Sequence, residues 1–168
     1  MTQIKTKRER IKFASDNVTG ACPEVLDAVL KANDEDRTPY GNDDLSKNLQ
    51  NKFSEIFEKE VVVFPTASGT AANALALSTM TPSFGNIYCH RLSHINVDEC
   101  GAPEFYTGGA KLVNLNGNNG KIVAEDLDNN ITGKGIVHHT QPSSVSITQL
   151  CETGVTCLLY TSPSPRDH

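Results

Sequence analysis

In VVVFPTASGTAANALAL (61–77) a β-branched run gives way to Ser68, Gly69 and Thr70, and these to an alanine-rich stretch. A helix that begins there leaves its first backbone N–H groups without partners, at the positive end of its dipole. An anion such as phosphate is favoured at that position. Gly69 lets the backbone approach a ligand closely, and the two hydroxyls can donate further hydrogen bonds. Plain capping of the helix by Ser or Thr fits the same residues equally well. The stretch is not a Walker loop, because no Gly-Lys-Ser or Gly-Lys-Thr follows, and it is not a glycine-rich dinucleotide loop.

CHRLSHINVDECGAP (89–103) offers His90 and His94, with Asp98 and Glu99 beyond. On one helix two such histidines would share a face and could bind metal. The glutamate of an HExxH site is missing, so the reading is that no metal is held. An imidazole can equally stack flat on a ring cofactor. FASDNVTG (13–20) carries Ser15, Asp16 and Asn17, which make turns and caps by default; the Ser15 hydroxyl could also hold a substrate carboxylate. His138 and His139 fall at the end of an expected strand, where sites of α/β proteins often lie.

The elements that must position these residues alternate in period. A helix is expected from Pro23, with Val25, Leu26, Val29 and Leu30 as its apolar stripe. A second follows a turn, capped by Asn42 or Asp43, with Leu45, Leu49, Phe53, Ile56 and Phe57 on one face. EVVVFP (60–65) reads as a strand buried on both sides. NIYCH (86–90), AKLVNL (110–115), GIVHH (135–139) and SVSITQL (144–150) read as further strands, the last two separated by TQPS. SHINVDECG reads as a short helix or loop, and GNNGKIVAEDLDNNI as a turn and a short helix. Strands alternating with helices predict an α/β fold on a mostly parallel sheet with flanking helices.

Bulk composition narrows the function classes. The chain has 168 residues, 38% hydrophobic and 21% charged, with a net charge of -5. That balance permits a core and argues against a phosphate-backbone binder, so no nucleic acid is expected as a partner. No apolar run approaches the ~20 residues that span a bilayer. The basic start, MTQIKTKRERIK, lacks the apolar stretch of a secretory signal. Cys22, Cys89, Cys100, Cys151 and Cys157 form no CxxC pair and fit reduced thiols in a cytoplasmic protein.

Taken in order, SDNVTGACPEVLDAV, YGNDD, VVVFPTASGTAANALAL and CHRLSHINVDECGAPEF resemble the amino-terminal part of the L-threonine aldolases, β-eliminating lyases that use pyridoxal phosphate. The resemblance covers about residues 13–154. It implies the large domain of the aspartate-aminotransferase-like architecture, assembled as a homodimer or homotetramer. It implies cleavage of L-threonine or L-allo-threonine to glycine and acetaldehyde. On the same ground Ser68, Gly69 and Thr70 would hold the cofactor phosphate, His94 would stack on its ring and take part in proton transfer, and Ser15 would touch the substrate carboxylate. Tyr40 and Glu99 would lie beside the site or at an interface. Many members carry a histidine where this chain has Thr148 and Gln149, so a second histidine role is not expected there. Alternatives are another lyase of the same fold acting on aromatic amino acids, and a non-catalytic module that binds a phosphate ligand.

The family's ring-nitrogen aspartate, carboxylate-binding arginine and cofactor-holding lysine lie further downstream, and the last lysine here is Lys134. The resemblance ends at ETG (152–154). Residues 157–167, CLLYTSPSPRD, are similar to one reading frame of an adapter used in transposase-based sequencing libraries; a proline-motif ligand or a flexible tail would be the functional alternative. The expected organisation is a basic lead-in (1–12), a truncated cofactor-binding domain (13–154) and a non-native tail (155–168), inactive as a fragment.

Overall fold

The computed structural model describes residues 18–34 and 36–155. The lead-in, Ser15 and the adapter-like residues therefore lie outside the described residues. The chain divides into two compact units, residues 1–49 and 50–168.

In the first unit, α1 (Pro23–Asn33) starts on Pro23, as expected. Its stripe is formed but not covered: Leu26 and Leu30 are more than half exposed. Tyr40 and Gly41 follow in consecutive left-handed conformations, and Tyr40 is almost fully exposed. Asp43 is the residue that caps α2 (Asp44–Ile56), whose residues from Gln50 onward belong to the second unit. The Asp43 carboxylate accepts from the Ser46 N–H at 2.9 Å and from the Ser46 hydroxyl at 2.7 Å.

The second unit holds the sheet. β1 (Gly85–His90), β2 (Lys111–Leu115) and β3 (Gln141–Val145) are all parallel, in the order β2-β1-β3. Every residue of β1 is buried, as a central parallel strand requires. Ile87 and Cys89 face one side, where they pack with Leu77 of α3 (Gly69–Met80), Ile95, Ala110 and Leu112. The first two residues of β3 are Gln141 and Pro142, which lie in the TQPS stretch expected to separate two strands. Pro142 has no N–H to give, and an edge strand tolerates it. The register slips just beyond it, between Asn86 and Ile87 of β1.

Two expected strands do not form among the described residues, and a third, SVSITQL, keeps only Ser144 and Val145 within β3. Residues 61–64 are irregular and have no sheet partner among the described residues, leaving Val62 and Phe64 largely exposed. Their backbone is held by α2 instead: Val63 N–H donates to the Gln50 side chain at 2.8 Å, and Gln50 Nε2 donates to Val63 O at 2.9 Å. GIVHH is a turn, with Gly133 and Gly135 left-handed on either side of Lys134. The Gln141 amide knots that turn by donating to the carbonyls of Gly133, Ile136 and His139. An apolar pair such as Ile136 and Val137 makes a strand only where a neighbour accepts its backbone.

The remaining elements are short; those at 94–97 and 118–130 fall where turns and short helices are expected, whereas the helix at 102–106 has no counterpart in the sequence expectations. They are α4 (His94–Val97), α5 (Ala102–Tyr106), a 3-10 turn at Asn118–Gly120 and α6 (Ala124–Asn130). Among the described residues no helix is long and apolar enough to cross a membrane.

Candidate active site

Two features converge at one end of the sheet. The first is the start of α3. Ser68 caps it, its Oγ accepting from Ala71 N–H at 3.2 Å, which leaves the hydroxyl proton free to donate elsewhere. The Ser68 carbonyl takes Ala72 N–H at 3.1 Å, so the N–H groups of Gly69 and Thr70 precede the first internal bond. No acidic residue stands in the first turn to compete with an anion. Gly69 is required by neither its conformation nor its neighbours: it is not left-handed, and a Cβ there would meet nothing within 4 Å. A bare backbone with open space before it suits a ligand that must come close.

The second feature is the segment after β1. His90 ends the strand, and the chain turns at once: Ser93 N–H donates to His90 O at 2.8 Å, and Asn96 Nδ2 to Arg91 O at 2.8 Å. That locked turn delivers α4, whose first residue is His94. Carboxyl ends of parallel strands are where ligands of open α/β sheets bind. The chain then reverses through Cys100 and Gly101, consecutive left-handed residues, the first at φ 51° without the freedom of glycine. The reversal turns Glu99 back into the protein.

Glu99 joins the two features. Its side chain is fully buried, and its Oε1 lies 2.8 Å from His94 Nδ1 and 2.6 Å from Asn73 Nδ2. Asn73 lies one turn along α3 from Gly69 and Thr70, on the same face. The His94 ring stays 43% exposed, open for contact with a ligand. Hydrogen bonding to Glu99 raises the His94 pKa above its ordinary 6.5; partial desolvation opposes this, and the charges of Glu99, Glu152 and Asp98 add to it.

Each sequence-level candidate now has a place. Ser68, Gly69, Thr70 and His94 belong to one connected arrangement, and Glu99 joins it as a buried partner. His90 does not share a helix with His94. Its Nδ1 accepts Leu92 N–H at 3.1 Å and its Nε2 lies 3.1 Å from Gly117 O, so both ring nitrogens are committed within the protein. His138 and His139 lie at the opposite end of the sheet, in a shallow polar cleft with Asn86 and Lys111 near the amino ends of β1 and β2. The carboxyl-end expectation for these two is thereby corrected: the glycine-bracketed turn comes before β3 and not after it. Asn73 was missed by the sequence reading. Its signal was an amide among the alanines of α3, one turn from the cup.

A parallel sheet with a helix start and a histidine at its carboxyl end defines an α/β protein with a candidate ligand site at the strand ends. The structure resembles threonine aldolase of Leishmania major with a TM-score of 0.77 at 25% identity, covering 83% of this chain and 41% of that one. The β-eliminating lyase family matches residues 12–158, and the chain belongs to that family. It is 38% identical over 143 residues to a low-specificity L-threonine aldolase of a Pseudomonas species. To the enzyme of the same description from Pseudomonas aeruginosa it is 36% identical over 143 residues. It spans 41% of the length of each of these curated relatives.

Proposed function

We propose that the whole protein is a pyridoxal-phosphate-dependent carbon–carbon lyase that cleaves L-threonine or L-allo-threonine to glycine and acetaldehyde. The observation that carries this reading is the hydrogen-bonded connection from α3, whose start can hold a phosphate, through Asn73 and Glu99 to the half-exposed ring of His94.

The residues present fit the cofactor. Gly69 and Thr70 N–H, with the hydroxyls of Ser68 and Thr70, would hold its phosphate at the positive end of α3. The open face of His94 would lie against its ring. When bound, pyridoxal phosphate supplies the electron sink for the pair released as Cα–Cβ breaks. With Nδ1 engaged by Glu99, His94 exchanges protons through Nε2, and from there it would take the β-hydroxyl proton of the substrate. Ser15 would hold the substrate carboxylate.

Incubation of the full-length protein with L-threonine and pyridoxal phosphate tests the reading. Acetaldehyde and glycine in equal amounts are expected. Pyruvate and ammonia from tyrosine, with no acetaldehyde from threonine, would assign it instead to the lyases of aromatic amino acids. On the present chain, pyridoxal phosphate is expected to bind more tightly than pyridoxal, a difference due to the phosphate alone.

A further inference from the structure

We infer that Glu99, steadied by Asn73, is a positioning residue that fixes the tautomer, ring orientation and basicity of His94. The inference deepens the proposed function, because it assigns the device that prepares the proposed proton-exchanging atom.

The hydrogen-bond geometry sets the tautomer. Oε1 of Glu99 receives two contacts, from Asn73 Nδ2 at 2.6 Å and from His94 Nδ1 at 2.8 Å. The amide nitrogen of Asn73 can only donate. An oxygen that accepts on both sides requires a proton on His94 Nδ1 as well. Nε2 is then the nitrogen left to gain or lose a proton in the neutral ring.

Burial argues that this arrangement serves the site and not the fold. The Glu99 side chain has no exposure, and its Oε2 is buried without a hydrogen-bond partner. A buried carboxylate costs stability unless every lone pair is satisfied, and an apolar residue of similar size is often neutral or better. Cys100 is held left-handed immediately after it, a further cost at the same spot. The core cluster of Leu77, Ile87, Cys89, Ile95 and Ala110 does not include Glu99. What Glu99 contributes is a fixed acceptor at one nitrogen of a half-exposed imidazole.

The charged groups acting on His94 are Glu99 and Asp98 from its own loop and Glu152 beyond β3. Asn73 brings a neutral amide from α3. Of these, only Glu99 is bonded to the ring, so its replacement separates bonding from general acidity.

Nitrogen-15 NMR of histidine-labelled chain, without cofactor, reads the tautomer and the titration of His94 directly. In the unaltered chain the neutral ring is expected to carry its proton on Nδ1 and to titrate above 6.5. Glu99→Gln keeps an acceptor for both donors, so the tautomer should persist while the midpoint falls. Glu99→Leu should lower the midpoint, mix the tautomers and leave the thermal unfolding midpoint equal or higher. The Leu variant guards against failure to fold, since it removes the buried charge. Asn73→Ala, an exposed change, should broaden the His94 resonances as the carboxylate loses its brace. The inference is overturned if His94 carries its neutral proton on Nε2, or if both Glu99 variants titrate as the unaltered chain does. A lower unfolding temperature with unchanged His94 titration would make Glu99 structural only, and would also overturn it. None of these readouts depends on which substrate is cleaved, so failure of threonine cleavage in the full-length protein would sink the proposed function and leave this result standing.

Discussion

His94 combines a flat face with an exchangeable proton, and one substitution separates the two. His94→Phe keeps an aromatic ring for stacking and removes Nε2. In the full-length protein, cofactor binding followed by absorbance should persist while turnover falls about 10²–10⁴-fold, the usual worth of a positioned acid–base group. Loss of both together would make the ring a structural support instead. The same residue sets a pH dependence. Its pKa is raised in the folded chain, chiefly by the bond to Glu99, so the folded state binds the proton more tightly than the unfolded one. That contribution is fully present below 6.5 and is lost as pH rises through the raised value. The unfolding temperature of the unaltered chain, relative to that of His94→Phe, should therefore be higher below 6.5 than well above it. Ser68, Gly69, Thr70 and His94 could be read from sequence because their chemistry is carried by residue type and local order. The link between Asn73 and Glu99 could not, because 26 positions separate them and the left-handed Cys100 aims the carboxylate.

At the scale of elements, the start of α3 and the start of β1 use glycine for opposite reasons. Gly69 faces open space, so an added side chain harms nothing but a ligand. Gly69→Asp puts a carboxylate on the first turn, where the dipole welcomes it. The variant should unfold at the same temperature or slightly higher and lose its preference for pyridoxal phosphate over pyridoxal, as measured by equilibrium titration. A retained preference would move the phosphate site away from α3. Gly85 is buried where β1 begins. A Cβ there would lie 2.6 Å from Ser143 Oγ, 2.7 Å from Thr81 Cγ2 and 3.0 Å from Pro82 O. Gly85→Ala should cost about 1–3 kcal/mol by overpacking, read from denaturant unfolding. Helix starts were legible because Pro23 and Ser68 act within one turn of themselves. Strands were less so. β1 and β2 were found where β-branched and aromatic residues coincide with real neighbours. Residues 61–64 and GIVHH show the same composition without a neighbour, and composition cannot supply one.

At the scale of the whole molecule, the parallel topology explains both what is stable and what is exposed. β1 is buried on both faces between two hydrogen-bonded neighbours. Ile87, fully buried within the core cluster, has no room to be replaced by solvent, and a smaller side chain there would leave a cavity. Residues 61–64 are the contrary case. They are β-prone and apolar, and their backbone is bonded by the side chains of Gln50 and Ser54 and by no strand among the described residues, with Val62 71% and Phe64 72% exposed. An exposed, β-prone apolar segment without a strand neighbour is a template for pairing with another copy. The chain is therefore expected to self-associate as its concentration rises, and the contact should run through this segment. Lysine on such a segment blocks pairing, because bringing two copies together would then desolvate like charges. Val62→Lys combined with Phe64→Lys should lower the weight-average mass seen by sedimentation or light scattering. Because both side chains are mostly exposed, the pair should leave the unfolding temperature nearly unchanged. Gln50→Ala should act in the opposite direction by freeing the Val63 N–H and carbonyl for intermolecular bonds. Association that ignores all three substitutions would place the contact elsewhere, with the uncovered Leu26 and Leu30 of α1 as the next surface to alter.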